Sequence, residues 1–138
     1  MQSIFQQLPQ RELIQQQLQK EFSERYDAIK KIQDKLAKLD EKYKRDGALM
    51  SDDERTALVR NAESLQSELK LKGKALEEDV RRREGAEKNQ LLQKIRAAIN
   101  EIAKAEKFDV ILQSCAVAYI DKKFDISARV VEKVSKAK

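Results

Sequence analysis

The sequence is poor in residues that turn a chain and in residues that carry out catalysis. Its 138 residues include three glycines, one proline and no histidine, and aromatic residues make up 5%. Few positions therefore favour a turn, and the commonest general base and metal ligand is missing. Gly-rich phosphate loops and suitably spaced metal ligands are also missing, and neighbouring carboxylates such as Glu77 and Glu78 are typical of a solvated helix face. We expect a protein that is not an enzyme and that needs no cofactor or metal.

Cysteine and targeting signals are equally sparse. Cys115 is the single cysteine, which excludes an intramolecular disulfide and leaves the redox compartment open. No apolar run approaches the roughly 20 residues of a membrane-spanning helix. The residues after Met1 lack the basic start and apolar core of a signal peptide, so we expect that the protein stays inside the cell or has lost a leader.

Charged residues are abundant, at 38% of the chain, and give a net charge of +5. Residues 20–106 carry 21 basic and 19 acidic side chains, so the two signs are interleaved and form no basic stripe. Interleaved charges of this kind support exposed helices. Nucleic acid is therefore not an expected partner. The net positive charge keeps nucleic-acid binding as a third interpretation, which predicts a steep dependence of affinity on salt.

Apolar residues recur at helical spacing from Pro9 to about Lys44. The repeat of seven, with two members interleaved three positions later, consists of Phe22, Ile29, Leu36, Tyr43, Ile32 and Leu39. Gly47 is expected to take the left-handed conformation that ends the helix. The segment from Ser51 to Glu54 is a capping box, which predicts the start of a second helix. The short connection predicts an antiparallel hairpin.

The second helix is predicted from Asp52 to about Glu106. Its seam reads Leu58, Ala62, Leu65, Leu69, Gly73, Leu76, Val80, Glu84, Glu87, Leu91, Ile95, Ala98 and Ile102. The apolar stripe is interrupted at Glu84 and Glu87. Because this helix is much longer than the first, its last part is expected to pack on the terminal segments of the chain.

After Glu106 the pattern changes to short β-branched runs. Residues 108–112 and 117–120 are predicted as two strands, with Cys115 and Ala116 between them. Two short strands need a third strand or partner chains for stability. Asp125 is predicted to cap a final helix, Ile126 to about Val134, whose apolar face comprises Ile126, Val130, Val131 and Val134.

Two terminal motifs are distinctive. The C-terminal motif combines Asp109-Val110-Ile111-Leu112, Ala116-Val117-Ala118-Tyr119 and Asp125-Ile126-Ser127 with a valine-rich helix. The N-terminal motif is Met1-x-Ser3-Ile4-Phe5-Gln6-Gln7, followed by Leu18-x-x-Glu21-Phe22. In both motifs, and in the two long helices between them, the chain resembles the Skp/OmpH-like family of periplasmic chaperones.

The resemblance implies a mostly α fold with a small β base. A long antiparallel α-helical (coiled-coil) hairpin, residues 20–106 with its tip near 45–51, would hang from a strand-bearing base formed by 1–19 and 107–138. Three such bases would join into a jellyfish-like trimer. The implied trimerisation residues are Val110, Ile111, Leu112, Val117, Ala118, Tyr119 and Ile120.

The family's hairpins surround a cavity that holds unfolded outer-membrane β-barrel proteins without ATP. The resemblance therefore implies a periplasmic, homotrimeric holdase that prevents the aggregation of these clients. A lipopolysaccharide-binding cluster proposed for the family falls on Lys72, Arg82, Arg83 and Lys94, where lipopolysaccharide or an anionic membrane surface would bind. Ordinary solvated helix charge is the alternative interpretation of these four residues.

The chain departs from the family pattern in two respects. Hairpin tips in the family are usually basic, whereas residues 34–60 carry seven basic and seven acidic side chains, so electrostatic capture at the tip is not expected. A leader and an apolar strand usually precede the segment that Met1 opens, so we expect a shortened chain or a start codon assigned too late. The alternative function is a structural coiled-coil adaptor, which predicts a folded partner helix seated in the seam.

Overall fold

The computed structural model describes residues 2–137, and most of these residues are helical. The α-helices are α1 (Gln2–Gln7), α2 (Gln10–Glu21), α3 (Ser23–Asp46), α4 (Asp52–Glu106) and α5 (Ser127–Lys136). Short 3₁₀ turns occur at Gly47–Leu49, Ser114–Ala116 and Lys122–Phe124. Met1, the first residue of the N-terminal motif, and Lys138, the last residue of the expected base, lie outside the described residues. The prediction of a mostly α chain with two long helices is confirmed.

The helices divide into two compact units. Residues 18–82 form one unit, and residues 2–17 together with 83–137 form the other. We call the first the hairpin unit and the second the terminal unit. Helix α4 contributes residues to both.

The hairpin unit contains the antiparallel helix pair that the short connection predicts. Arg25, near the start of α3, donates a hydrogen bond to Asp79 on α4 at 2.7 Å. Near the other end of α3, Leu39 lines the same groove as Leu58, which lies early in α4. These two contacts require that α3 and α4 run in opposite directions.

Two predictions concern the connection between α3 and α4, and one of them is confirmed while the other is wrong. The capping box is present: Glu54 N donates to Ser51 Oγ at 3.2 Å, and Ser51 N donates to Glu54 Oε2 at 2.9 Å. Gly47, however, is right-handed, with φ −57° and ψ −35°. Its N–H donates to the Tyr43 carbonyl, so the helix continues into the 3₁₀ turn, and the chain direction changes at the extended residue Met50. No residue at this turn requires a positive φ.

The periodicity predicted one continuous helix from Pro9 to about Lys44. In the structure this helix is interrupted at Phe22. This residue has φ −98° and ψ 4°, which separates α2 from α3. The Ser23 hydroxyl donates to the Lys20 carbonyl at 2.9 Å, a local bond that competes with the main-chain ladder and bends helices. A further helix, α1, precedes Pro9.

One carboxylate, that of Asp79, pairs with an arginine on each helix of the hairpin. Asp79 accepts from Arg25 at 2.7 Å through one oxygen and from Arg82 at 2.6 Å through the other. The Arg25 guanidinium also lies 5.6 Å from the centre of the Phe22 ring. The hydrogen bond from Arg25 holds the pKa of the Asp79 carboxyl below its ordinary value. Arg25 thus forms an ion pair that links the two helices of the hairpin.

The terminal unit contains the apolar core. The prediction that the last part of α4 packs on the terminal segments is confirmed, and so is the apolar face of α5. The core consists of Ile4, Leu8, Leu91, Ile95, Ala98, Ile102, Val130 and Val134. Ile126 and Val131 pack against this core and are partly buried. Ile95, Val130 and Val134 have the largest side chains that are fully buried within the described residues.

Polar contacts fix α5 against its neighbours in this unit. Lys133 forms an ion pair with Glu101 at 2.6 Å, and Arg129 pairs with Glu106. The Gln10 side-chain amide donates to the Val134 carbonyl at 2.9 Å. Helix α5 is therefore held by ion pairs to α4 at its surface and by a hydrogen bond to α2 at its C-terminal end.

The two predicted strands are not formed, and that prediction is wrong for the single chain. Residues 108–112 and 117–120 contain no paired strand within the part of the chain that the structure describes. Val117 does have extended dihedral angles, φ −124° and ψ 142°. A strand, however, also needs a neighbour about 4.8 Å away that supplies main-chain donors and acceptors. The two segments have the β-branched composition of strands, but within the described residues neither has a neighbouring strand to pair with.

Helix α4 ends in a Schellman motif that turns the chain into this loop. Phe108 N donates to Ala103 O at 3.0 Å, and Lys107 N donates to Lys104 O at 3.4 Å. Lys107 has φ 56° and is the only non-glycine residue with a positive φ among those described. A side chain in this left-handed conformation carries a steric cost that glycine avoids.

Lys107→Gly is expected to raise the free energy of unfolding by about 1 kcal/mol, because glycine adopts the left-handed conformation without that cost. The measurement is urea unfolding at a fixed protein concentration. Lys107→Ala is the matched control, since it removes the charge and keeps the Cβ atom. A glycine variant no more stable than the alanine variant would contradict this account.

Candidate functional site

The loop between α4 and α5 presents the most apolar surface of the chain. Of the twelve large apolar side chains that are exposed in residues 2–137, six lie between 108 and 124. They are Phe108, Val110, Leu112, Tyr119, Ile120 and Phe124, and we call them the loop surface. Tyr119 is 84% exposed and Val110 is 71% exposed. Six exposed large apolar side chains within one segment of 17 residues indicate an interaction site.

All seven predicted trimerisation residues lie on this loop. Val110, Leu112, Tyr119 and Ile120 belong to the loop surface, Ala118 is also exposed, and Ile111 and Val117 are partly exposed. The structure therefore brings these seven residues together in one segment that is accessible to a partner.

A cavity of about 510 Å³ lies beneath the loop within the terminal unit. The loop side chains Val110 and Ile120 line it on one side. Ile4 of α1, Ile99 of α4 and Val130 of α5 line it on the helical side. The loop thus covers the helical core without filling the space above it, so apolar side chains remain available for contacts with another chain.

The main chain of the loop has unused hydrogen-bonding groups. Its main-chain bonds within the described residues are confined to the 3₁₀ turns, such as Ala116 N to Gln113 O at 2.8 Å and Phe124 N to Asp121 O at 2.9 Å. Residues 109–112 and 117–120 take part in none of them. These segments can therefore accept a strand or another hydrogen-bonding partner along their edges.

Two aspartates fix the end of the loop where α5 begins. Asp121 accepts from the Lys123 N–H at 3.1 Å, and Asp125 accepts from the Ser127 N–H at 2.9 Å. The hydrogen bonds from Ser127, the side-chain bond first, hold the pKa of the Asp125 carboxyl below its ordinary value. Asp125 was predicted to be the capping residue of a helix from Ile126, but the helix runs from Ser127 to Lys136 and its N-cap position is occupied by Ile126. The bond from the Ser127 N–H makes Asp125 part of a local turn just before the helix.

The four residues of the predicted lipopolysaccharide cluster are all on α4 but are divided between the two units. Lys72 and Arg82 lie in the hairpin unit, and Arg83 and Lys94 lie in the terminal unit. Lys72 pairs with Glu68 at 2.6 Å and Arg82 with Asp79 at 2.6 Å, and Arg83 pairs with Glu87 at 2.9 Å. Lys94 is exposed. At least three of the four charges are thus used within the helix.

The sequence prediction placed Phe108 in a strand without assigning it to the base, and it did not single out Phe124 of the loop surface or Leu49 at the hairpin turn. Phe124 is 64% exposed and Leu49 is 87% exposed. The available signal was a large apolar residue inside a turn, where no helical or strand face can bury it. Such residues, when flanked by polar neighbours, are candidates for contacts with other molecules.

Neither a metal-binding group nor a membrane-spanning helix is found in the described residues. No group of three or more potential ligand side chains there is arranged to hold a metal ion. None of the helices in residues 2–137 combines the length and the apolar character needed to cross a bilayer. Cys115 lies in the predicted turn, is exposed, and forms no disulfide.

The fold and the loop surface define a helical-hairpin protein whose accessible feature is an apolar interaction surface. A family profile described as outer membrane protein (OmpH-like) matches residues 1–134. The Chaperone protein Skp of Pectobacterium atrosepticum is 36% identical over 132 residues, which cover 96% of this chain and 80% of that protein. The Skp of Photorhabdus luminescens is 37% identical over 131 residues, covering 95% of this chain and 79% of its own.

The chain belongs to the OmpH-like family. The Skp of Vibrio cholerae is a further relative, 35% identical over 131 residues that cover 95% of this chain and 78% of that protein. Members of this family are chaperones and not enzymes, which confirms the expectation drawn from the missing catalytic residues.

Proposed function

We propose that this protein is a homotrimeric, ATP-independent holdase chaperone of the periplasm that binds unfolded outer-membrane β-barrel proteins. Three loop surfaces would pack together to form the assembly base. The helical hairpins would then enclose a space in which an unfolded client is kept from aggregating. The chaperone names of the relatives support the class of activity, and the loop surface supports the mode of assembly.

The observation that carries the proposal is the exposure of the loop surface. Tyr119, Val110 and Leu112 are each more than 60% exposed in the single chain. Burying an apolar side chain of this size contributes about 1.5–3 kcal/mol. Several such side chains from each of three copies supply enough apolar area for a stable assembly, and the unpaired main chain of residues 109–112 and 117–120 can be satisfied in the same contact.

The hairpin surface suits weak and adaptable contacts with clients. Its charges are largely paired along the helix, as in Lys72 with Glu68 at 2.6 Å and Arg81 with Glu77 at 2.8 Å. Exposed pairs of this type are each worth less than about 1 kcal/mol, so they exchange partners readily. Contacts from three hairpins to one client would add up through multivalency, without tight binding at any single place.

Lipopolysaccharide binding through Lys72, Arg82, Arg83 and Lys94 stays a prediction. A phosphate would have to displace the carboxylate partners of the first three residues, while exposed Lys94 needs no such exchange. The adaptor function also stays an alternative. In that function a folded partner helix would bind in the seam, and no enclosed space would be needed.

Tyr119→Asp is expected to weaken assembly by about 100-fold, since it removes an aromatic side chain from the interface and places a charge there. The same change should leave the helical content unaltered, because Tyr119 is exposed in the single chain. Analytical ultracentrifugation over a concentration series measures the effect. Leu71→Asp is the matched control: Leu71 is 70% exposed on α4 in the hairpin unit. Equal assembly of the two variants would refute this use of the loop surface.

The holdase activity is tested by diluting a urea-unfolded β-barrel protein out of denaturant and following light scattering. Wild-type protein at an equimolar ratio of trimer to client should suppress scattering without ATP. The Tyr119→Asp variant should suppress it much less, because isolated hairpins enclose no space. Undiminished scattering at several-fold excess of the wild type would contradict the proposal.

The conformation of the bound partner distinguishes the holdase from the adaptor. A holdase should leave its client unfolded, so the amide NMR spectrum of the bound client should keep the narrow dispersion of a disordered chain. A client that becomes helical on binding would favour the adaptor.

A further inference from the structure

The seam between α3 and α4 is closed at one end of the hairpin unit and open toward the turn. Phe22, Ile32 and Leu76 are buried. From Leu36 onward the seam side chains on α3 are partly exposed, and Tyr43 is 45% exposed. The facing α4 side chains are likewise only partly buried. Apolar surface therefore stays accessible in the half of the hairpin nearest the turn.

This open part contains a groove of about 490 Å³, which we call the seam groove. Its apolar lining consists of Leu36, Ala37, Leu39, Tyr43, Leu58, Val59 and Ala62. The volume falls within the range of about 300–1,000 Å³ that is common for pockets that enclose ligands. Leu39 and Leu58 also line a second groove near the turn, so a single pair of side chains separates the two.

The charged residues that line the seam groove are acidic, Asp40 on α3 and Glu63 on α4. Residues 34–60 as a whole carry seven charges of each sign, so the lining of the groove is more acidic than the segment around the turn. Asp40 contacts Lys44 at 2.6 Å, but both side chains are well exposed and such a pair exchanges easily. Glu63 has no ion pair within the described residues. The groove is therefore complementary to an apolar segment that carries a positive charge.

We propose that the seam groove is a client subsite that binds an extended apolar segment of unfolded polypeptide flanked by lysine or arginine. The apolar side chains of the segment would cover Leu39 and Leu58, and its basic side chain would pair with Glu63 or Asp40. This inference rests on the proposed chaperone function and adds a sequence preference to it. The preference is for basic clients, although the chain itself has a net charge of +5.

Two labelled unstructured peptides provide the probe, one with leucine and tyrosine flanked by lysines and one with glutamates in place of the lysines. Fluorescence anisotropy with the full-length protein should show that the lysine peptide binds about fivefold more tightly at low salt, with the preference lost at high salt. Glu63→Lys should reverse the preference. Equal affinity of the two peptides for the wild type would overturn the proposal.

Glu78→Lys is the matched control, because it makes the same charge change on α4 about 22 Å farther along the helix. That separation exceeds the Debye length of about 10 Å at 0.1 M salt, so the preference should be unchanged. An equal reversal by Glu78→Lys would assign the effect to net charge and not to the groove. Leu58→Ala should weaken both peptides about fivefold, and unchanged binding would also overturn the site.

Failure of this inference is distinguishable from failure of the holdase proposal. If the wild type suppresses aggregation while the peptides show no charge preference, the holdase proposal stands and the seam groove does not select clients. A second copy of the chain could instead seat its Lys122-Lys123-Phe124 turn in the groove. Glu63→Lys would then reduce self-association in ultracentrifugation without changing the peptide preference, and that result would overturn the proposed occupant.

Discussion

Two helices packed side by side can each bury only one stripe of side chains, and the whole chain is organised around that limit. In the hairpin unit the stripe buries few side chains, among them Ile32, which is 5% exposed, and Leu76, which is 4% exposed. The remaining surface must be compatible with water, which accounts for the interleaved charges and their i,i+4 pairs. Among the described residues, the largest fully buried side chains, Ile95, Val130 and Val134, lie where α1 and α5 pack on α4. The fully buried core thus lies in the terminal unit, and accessible apolar surface is left in the seam of the hairpin unit and in the loop between α4 and α5.

Periodicity and local capping rules were sufficient for the features that depend on nearby residues. The seam of α4, the capping box at Ser51 and the apolar face of α5 were all predictable, since each follows from spacing within a few turns of helix. The interruption at Phe22 was not predictable from the apolar repeat, because it depends on a hydroxyl of Ser23 that bonds to a neighbouring carbonyl. The prediction for Gly47 relied on the common left-handed glycine at helix ends, but in this connection Gly47 is right-handed.

Features that depend on distant partners were less predictable. The β-branched runs at 108–112 and 117–120 were recognised, but composition does not determine whether a second strand is present to pair with them. Within a single chain these runs form an exposed loop above a cavity. The seam groove was missed for a related reason: a repeat of apolar residues indicates which side chains face the partner helix, but not how closely the two helices approach.

The two accessible apolar surfaces differ in ways that fit different uses. The loop surface is broad, largely uncharged and accompanied by unpaired main chain, which suits a permanent contact between copies. The seam groove is smaller and bordered by Asp40 and Glu63, which suits a weaker contact that depends on salt. Both uses belong to the proposed function, in which stable assembly would coexist with clients that bind and leave.

Amide hydrogen exchange of residues 109–112 and 117–120 tests most directly whether the loop surface is the assembly base. In the single chain these amides make no main-chain hydrogen bonds and should exchange rapidly. The account predicts that they become protected as the protein concentration rises into the range where the trimer forms, while α4 and α5 stay protected throughout. Rapid exchange of these residues in the fully assembled protein would contradict it.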